Sequence, residues 1–241
     1  MVSQFVKSYF HNFFSNFDNE NLNNHNENDI LKIFQDKNVI KEQIKLIEKF
    51  LLEKSYSIQY SGTTCLIIIY IKDKIICYNI GDSRAIYINN ELKCFQISQD
   101  HKPEIYSEKM RIEENGGIVK KDYLNIGAYR VWSKNGNYPG LAMSRSIGDY
   151  VAKSIGVTNE PDFFEIDIIK NNVIGVIIST DGLWNILKNS EIEKIVEEYI
   201  IKKDSIGCVN TLIDEANKKY KKKNIFCDDI TVIVIFFELK K

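Results

Sequence analysis

The chain has 241 residues, of which 44% are hydrophobic and 27% are charged, and its formal net charge is −1 at pH 7. These values are typical of a globular protein of one domain, and they exclude a disordered chain. The near-zero charge also excludes a global electrostatic field that would attract nucleic acid or an anionic membrane.

The cysteines and the N-terminal residues indicate the cellular compartment of the protein. The five cysteines are scattered and form no Cys-x-x-Cys pair, which argues against a disulfide framework and against a thiolate zinc site. The first residues lack the basic and apolar regions of a secretory signal. The longest apolar run, Cys65–Ile71, is much shorter than the ~20 residues of a membrane span. We therefore expect a cytoplasmic or nuclear protein without a transmembrane segment.

The N-terminal part is expected to be helical. Apolar residues recur every three or four positions over residues 2–17, which predicts an amphipathic helix. Residues 18–28 are rich in Asn and Glu and are expected to form a flexible insertion. A second helix is expected to begin with Asp29 as its N-cap and to run to Leu51, with a break at residues 36–38.

From residue 61 onward the sequence changes to short runs of β-forming residues. The gaps between these runs are short and polar, which predicts hairpins and therefore an antiparallel meander. The expected strands are residues 66–71, 75–80, 84–88 and 93–97.

The C-terminal half is expected to contain more helix. Ser190 and Glu193 have the spacing of a capping box at the start of one of these helices. Strands in runs followed by helices in runs indicate an α+β fold in which two sheets pack together. The expected helices are residues 104–115, 190–202 and 206–221, and the expected strands are residues 173–179 and 230–237.

Several aspartates stand just outside apolar strands, namely Asp82, Asp149, Asp181 and Asp228. Carboxylates that converge at one sheet edge repel one another unless a cation lies between them. Oxygen ligands of this kind suit Mg²⁺ or Mn²⁺, which activate water for phosphoester hydrolysis. A function in turns is an equal alternative for each aspartate, because Asp-Gly and Gly-Asp pairs are common there. The spacing alone does not show that the four converge.

These aspartates belong to a series of strings, which are Ser61–Cys65, Asn79–Ala85, Asp100–Pro103, Glu108–Val119, Leu141–Asp149, Glu160–Pro161, Ser179–Trp184 and Asp228–Val232. In this order, over roughly residues 56–238, the chain resembles the metal-dependent Ser/Thr protein phosphatases of the protein phosphatase 2C (PPM) family. The resemblance implies a four-layer α/β/β/α sandwich of two antiparallel sheets flanked by helices, with residues 1–241 as one domain. It also implies that metal-activated water hydrolyses phosphoserine and phosphothreonine in a phosphoprotein substrate.

The resemblance also implies roles for single residues. Asp181 and Asp228 are expected to be catalytic and to bind the first of two Mg²⁺ or Mn²⁺ ions. Asp82 is expected to bind a weaker third metal. Asp149 is expected either to bind that metal or to contact the residues that bind it. The expected supports of the site are Thr63, Thr64, Ser144, Arg145, Gly182 and Asn185.

Two further assignments remain open between alternatives. Arg130 lies in the stretch 123–139, where the family has its substrate flap, and it is expected to contact phosphate or to be a plain surface residue. His101 is expected to belong to a structural loop, with a general acid as the minority alternative.

The resemblance has two departures. The family's N-terminal Asp-Gly-His-Gly-Gly string has no counterpart, so the chain is expected to be truncated at its N-terminus and to lack the N-terminal strands. Asn185 stands where the family has Asp, which is expected to weaken the third metal site. The alternative is therefore an inactive pseudophosphatase that acts as a binding module. A carboxylate-metal nuclease is disfavoured by the net charge, and a monomer that binds neither nucleic acid nor membrane is expected.

Overall fold

The computed structural model describes residues 1–21, 26–53, 58–121, 127–135 and 138–237. Contacts divide the chain into two compact units. Unit 1 consists of Met1–Ile67, Tyr78–Asp82 and Asp100–Phe163, and unit 2 consists of Ile68–Cys77, Ser83–Gln99 and Phe164–Lys241.

The secondary structure is mixed. The helices of the described residues are α1 (Val2–Asn21), α2 (Glu27–Gln35), α3 (Lys37–Glu53), α4 (Tyr106–Glu114), α5 (Tyr150–Lys153), α6 (Asp181–Trp184), α7 (Asn189–Ile200) and α8 (Ser205–Lys223). The strands are β1 (Gly62–Thr63), β2 (Cys65–Ile71), β3 (Lys74–Ile80), β4 (Arg84–Asn89), β5 (Cys94–Gln96), β6 (Ile118–Lys120), β7 (Arg130–Trp132), β8 (Pro139–Leu141), β9 (Ile147–Gly148), β10 (Asp162–Asp167), β11 (Val173–Ser179) and β12 (Val232–Phe236).

The N-terminal helices of unit 1 follow the apolar periodicity. α1 buries Val2, Val6 and Phe10 along one face, as the spacing predicts. The break predicted at residues 36–38 is confirmed, because α2 ends at Gln35 and α3 begins at Lys37. The predicted cap is wrong: the Oδ1 atom of Asn26, and not Asp29, accepts the first free N–H groups of α2. Residues 22–25 of the predicted insertion lie outside the described residues.

The rest of unit 1 contains short antiparallel pairings. β1 pairs with β9, and β6, β7 and β8 form a three-stranded sheet. A small apolar cluster beneath this sheet contains Ile112 of α4 and Val131 of β7. α4 lies within the helix predicted over residues 104–115 and ends before Gly116.

Unit 2 contains the larger apolar cluster. The antiparallel sheet of order β12-β11-β4-β5 contributes Ile88, Ile177 and Val234, which pack with Val196 of α7 and Leu212 of α8. The capping pair predicted for α7 is wrong. Glu191, and not Glu193, accepts the N–H of Lys188 at 3.1 Å, because α7 begins at Asn189.

The strands predicted as one meander lie in two sheets. β2 and β3 are neighbours in a sheet of order β10-β3-β2, whereas β4 pairs with β5 and β11. The hairpin predicted between β3 and β4 is therefore wrong. Gly81 follows β3 with a φ of +102°, and its N–H and C=O bond to His101 instead of to a strand. The left-handed backbone, which glycine adopts without strain, turns the chain out of its sheet.

Antiparallel sheets flanked by helices confirm the predicted α+β class. Among the described residues, none of the helices combines the length and the apolar character that crossing a bilayer requires.

Candidate functional site

The end of β11 and the start of β12 bring two of the predicted aspartates to the same sheet edge. The strands are antiparallel, and Ser179 is the register partner of Val232. Asp181 begins α6 directly beyond β11, and Asp228 lies in the loop directly before β12. The two residues therefore lie in adjacent loops of unit 2, which the sequence spacing did not show.

Thr180 holds these two loops together. Its hydroxyl donates to the carbonyl of Asp229 at 3.1 Å and accepts the N–H of Thr231 at 3.0 Å. Its N–H also donates to the carbonyl of Thr231 at 3.2 Å. Ser179 adds a bond from its hydroxyl to the same carbonyl at 2.7 Å. Sequence analysis gave Thr180 no role, although its place between an apolar strand and Asp181 was a usable signal.

Gly182 lies directly against the loop that carries Asp228. A Cβ atom at this position would come within 2.7 Å of the carbonyl of Asp229 and within 3.3 Å of the carbonyl of Asp228. Backbone atoms at such distances cannot move aside without displacing the loop. The absence of a side chain at position 182 thus permits the close approach of α6 to the 228–229 loop.

We expect Gly182→Ala to lower the free energy of unfolding by about 1–3 kcal/mol, the usual cost of overpacking a filled space. The measurement is a urea unfolding curve, with Asn210→Ala on the exposed side of α8 as the control. An unchanged midpoint would show that the 228–229 loop moves away from α6 at no cost.

The carboxylates at this edge have different neighbours. The Oδ2 atom of Asp181 accepts a hydrogen bond from Asn185 at 2.9 Å, and the Oδ1 atom of Asp228 accepts the N–H of Asp229 at 2.9 Å. The hydroxyl of Tyr220 donates to the carbonyl of Gly182 at 2.8 Å. Burial raises the pKa of Tyr220, and the nearby Cys227, Asp181 and Asp228 raise it further. Both carboxylates thus act electrostatically on one hydroxyl.

A cation also stands at this edge. Arg84 is the register partner of Ser179, and its guanidinium lies 5.4 Å from the centre of the Trp184 ring. The indole N–H of Trp184 donates to the carbonyl of Ser179 at 2.9 Å, which fixes the ring. A guanidinium matches the geometry of phosphate oxygens. Sequence analysis did not assign Arg84 a role, although it follows Asp82 and Ser83 at the start of a strand.

In unit 1, Asp82 is buried and paired. Lys102 donates to its Oδ2 atom at 2.6 Å. The neighbouring His101 is 2% exposed, and its Nδ1 atom accepts the N–H of Gly81 at 2.9 Å. Its Nε2 atom, which therefore carries the proton, donates to Asp162 at 3.1 Å. Both ring nitrogens are thus engaged, which favours the structural role over the general acid.

Glu108 is the centre of a second buried network in unit 1. Its carboxylate accepts hydrogen bonds from Arg111, Arg145 and Ser144. Arg145 also donates to Asp162 at 2.8 Å. Burial raises the pKa of Glu108, but the bonds from Arg111, Arg145 and Ser144 outweigh burial and hold it well below its ordinary value. Ser144 and Arg145 therefore support Glu108, a residue to which sequence analysis assigned no role.

Asp149 is buried beneath β1 in unit 1. Its backbone is left-handed, with a φ of +48°, and burial raises its pKa. A Cβ atom on Gly62 would lie 2.0 Å from its Oδ2 atom, so the carboxylate occupies the space that a side chain at position 62 would fill. The adjacent N–H of Gly148 donates to Glu48 at 3.1 Å.

The other predicted site residues make local contacts. The hydroxyl of Thr63 donates to the carbonyl of Thr64 at 3.0 Å. The Nη1 atom of Arg130 donates to the carbonyl of Gly140 at 2.6 Å.

Mg²⁺ takes about six oxygen ligands. Asp181 and Asp228 are two carboxylates, and one of them is already bonded to Asn185. Throughout the described part of the chain, no group of three or more His, Cys, Asp and Glu side chains is arranged to hold a metal ion. These residues therefore do not form a complete metal site.

Comparison with known proteins gives the family. The family model of protein phosphatase 2C matches residues 2–225. The chain belongs to the protein phosphatase 2C family. Similar curated relatives are the probable protein phosphatases 2C 72 and 2C 65 of Arabidopsis thaliana. The first is 32% identical over 201 residues, with 82% of this chain and 60% of the relative covered. The second is 30% identical over 223 residues, with 90% of this chain and 57% of the relative covered.

Solved structures show the same fold. The serine-threonine phosphatase 2C of Toxoplasma gondii superimposes with a TM-score of 0.70 at 22% identity, covering 84% of this chain and 67% of that one. A C. elegans sex determining protein gives a TM-score of 0.65 at 20% identity, covering 83% of this chain and 46% of that one. These similarities confirm the predicted protein phosphatase 2C fold. The chain spans between 36% and 67% of the length of the curated relatives it matches.

Proposed function

We propose that this chain is a Ser/Thr protein phosphatase that hydrolyses phosphoserine and phosphothreonine in phosphoproteins. The observation that carries the proposal is the position of Asp181 and Asp228 at the same edge of the β11–β12 pair, in a chain that belongs to the protein phosphatase 2C family. Arg84 supports it, because a guanidinium at the same edge suits a phosphate group. The curated relatives are named as probable protein phosphatases.

The family is metal-dependent, and we propose Mg²⁺ or Mn²⁺ as the ion, with Asp181 and Asp228 as the ligands that this edge contributes. We propose Asp82 and Asp149 as metal ligands separately from this edge. Asp82 is paired with Lys102, and Asp149 is buried beneath β1. The described residues by themselves leave the ligand set of the ion incomplete. The function of Thr180 is to hold the two loops in register.

The test is a titration of Mn²⁺ into the purified chain by calorimetry, with phosphate release from phosphothreonine peptides measured in the same samples. We expect binding and turnover that both depend on Asp181, with Asp181→Ala as the control. Neither binding nor turnover in Mn²⁺ or Mg²⁺ would contradict the proposal and would favour a binding module without catalysis.

A variant at position 185 tests the electrostatics of Asp181. We expect Asn185→Asp to lower stability in EDTA by about 1–2 kcal/mol, because a hydrogen bond is lost and a like charge is added one helical turn away. Added Mn²⁺ should then raise the melting temperature more than it does in the parent protein. Asn185→Ala removes the same hydrogen bond without adding charge. It should therefore lose stability in EDTA, but Mn²⁺ should raise its melting temperature no more than that of the parent protein. Equal Mn²⁺ responses in the two variants would count against a metal at Asp181.

A further inference from the structure

An exposed apolar segment precedes Asp228. The side chain of Phe226 is 91% exposed, the highest value of any large hydrophobic residue in the described part of the chain, and Ile225 is 51% exposed. Single exposed hydrophobic residues are common on protein surfaces. This pair, however, lies two residues before the candidate catalytic carboxylate of Asp228.

The backbone of this segment is held at both ends. α8 ends at Lys223, Asn224 has a φ of +52°, and the N–H of Ile225 donates to the carbonyl of Tyr220 at 3.3 Å. The thiol of Cys227 donates to the Oδ1 atom of Asn217 at 3.3 Å. The side chain of Phe226 thus projects into solvent from an anchored backbone. Since two residues of chain span at most about 7 Å, its backbone stays close to that of Asp228.

A run of lysines directly precedes this segment, in the last turn of α8. Lys218 and Lys219 pair with Glu215 and Glu191. Lys221, Lys222 and Lys223 are exposed, and within the described residues they have no carboxylate partner. Favourable interaction with the dipole of α8 accounts for positive charge in its last turn, but it does not account for the adjoining aromatic side chain.

We propose that Lys221–Lys223, Ile225 and Phe226, here called the basic–aromatic rim, receive the polypeptide that flanks the phosphorylated residue of a substrate. The rim would select acidic phosphoprotein segments with a large apolar residue beside the phosphorylation site. The lysines complement a phosphate group and acidic residues, and an exposed aromatic ring is the usual type of anchor in an interface. The inference rests on the proposed function, because that function places the phosphate at Asp181 and Asp228.

The test uses fluorescein-labelled acidic phosphothreonine peptides with either leucine or serine on both sides of the phosphothreonine. Binding to the 241-residue chain is measured by anisotropy in EDTA, and turnover is measured separately in Mn²⁺. Phe226→Ala should weaken binding of the leucine peptide about five- to tenfold, as truncation of an aromatic anchor does, and that of the serine peptide less than twofold. The matched control is Ile206→Ala, which removes a 75% exposed apolar side chain at the other end of α8.

The charged part of the rim is tested with Lys222→Glu. We expect weaker binding of both peptides at low salt and a smaller difference from the parent at high salt, because exposed charges are screened. Lys194→Glu on the exposed face of α7 is the control. In turnover, Phe226→Ala should lower the ratio of kcat/KM for the leucine peptide to that for p-nitrophenyl phosphate.

Binding in EDTA separates this inference from the proposed function. Binding that depends on Phe226 without turnover in Mn²⁺ would support the rim and contradict the phosphatase proposal. The rim is overturned if the parent protein binds neither peptide, or if Phe226→Ala leaves binding of the leucine peptide unchanged. It is also overturned if the rim variants lose binding to phosphatidylserine vesicles but not to the peptides.

Discussion

Replacing Glu108 by glutamine is expected to lower the free energy of unfolding by about 3–5 kcal/mol, the range found when one partner of a buried ion pair is removed. Glutamine keeps the shape of the side chain but leaves Arg111 and Arg145 without their shared carboxylate. The measurement is urea unfolding at neutral pH. Glu113→Gln on the same helix is the control, because its exposed pair with Lys109 should contribute less than about 1 kcal/mol.

The same variant should change how stability depends on pH. The folded-state pKa of Glu108 lies below its ordinary value of 4.5, so its contribution is fully present above that value and is lost as the pH falls below it. Asp162 acts in the same direction, since the hydrogen bond from His101 lowers its pKa. Between pH 5 and pH 3 the parent protein should therefore lose more stability than Glu108→Gln does. Parallel curves would contradict the assigned charge state of Glu108.

Replacing Asp181 by asparagine is expected to lower Mn²⁺-dependent phosphate release at least about a hundredfold. Changing a residue that only hydrogen-bonds to a metal ligand already lowers activity up to about a hundredfold, and Asp181 is proposed as a ligand itself. The side chain keeps its size and one oxygen, but it loses the charge that a metal requires. Stability in EDTA should not fall, because repulsion with Asp228 is relieved. Asp214→Asn, on the exposed side of α8, is the control.

Asp228→Asn and the double variant complete the cycle. If the two aspartates hold one ion, the double variant should lose little more activity than either single variant, since residues of one site are not additive. Additive losses would mean that Asp181 and Asp228 act independently and would contradict a shared metal. The cycle thus tests the convergence that the strand register indicates.

The sequence predicts some parts of this protein because their causes are local. The apolar periodicity of α1 follows from helix geometry, and the break at Asp36 separates two apolar stripes that face the core. The predicted N-cap of α2 is wrong because several Asn and Asp residues of similar capping strength lie close together in the sequence. Only the hydrogen bonds that Asn26 accepts identify it as the cap.

Other parts depend on distant pairings. A short gap such as Gly81–Ser83 favours a hairpin on local grounds. The hydrogen bonds that prevent the hairpin join Gly81 to His101, which lies 20 residues away in the sequence. The convergence of Asp181 and Asp228 requires the pairing of Ser179 with Val232. In the sequence, Phe226 is indistinguishable from an apolar residue of the core. Its exposure follows from the three-dimensional arrangement of α8 and the adjoining loop.

The distribution of the two tryptophans gives each unit its own optical reporter. Trp184 lies beneath the guanidinium of Arg84 and bonds to Ser179 beside Asp181, so its fluorescence senses the sheet edge of unit 2. Trp132 bonds to the carbonyl of Lys120 in the β6–β7–β8 sheet of unit 1. Trp132→Phe and Trp184→Phe therefore yield single-tryptophan proteins. In these proteins the unfolding of each unit, and the arrival of an ion or a phosphate at Asp181, can be followed by tryptophan emission.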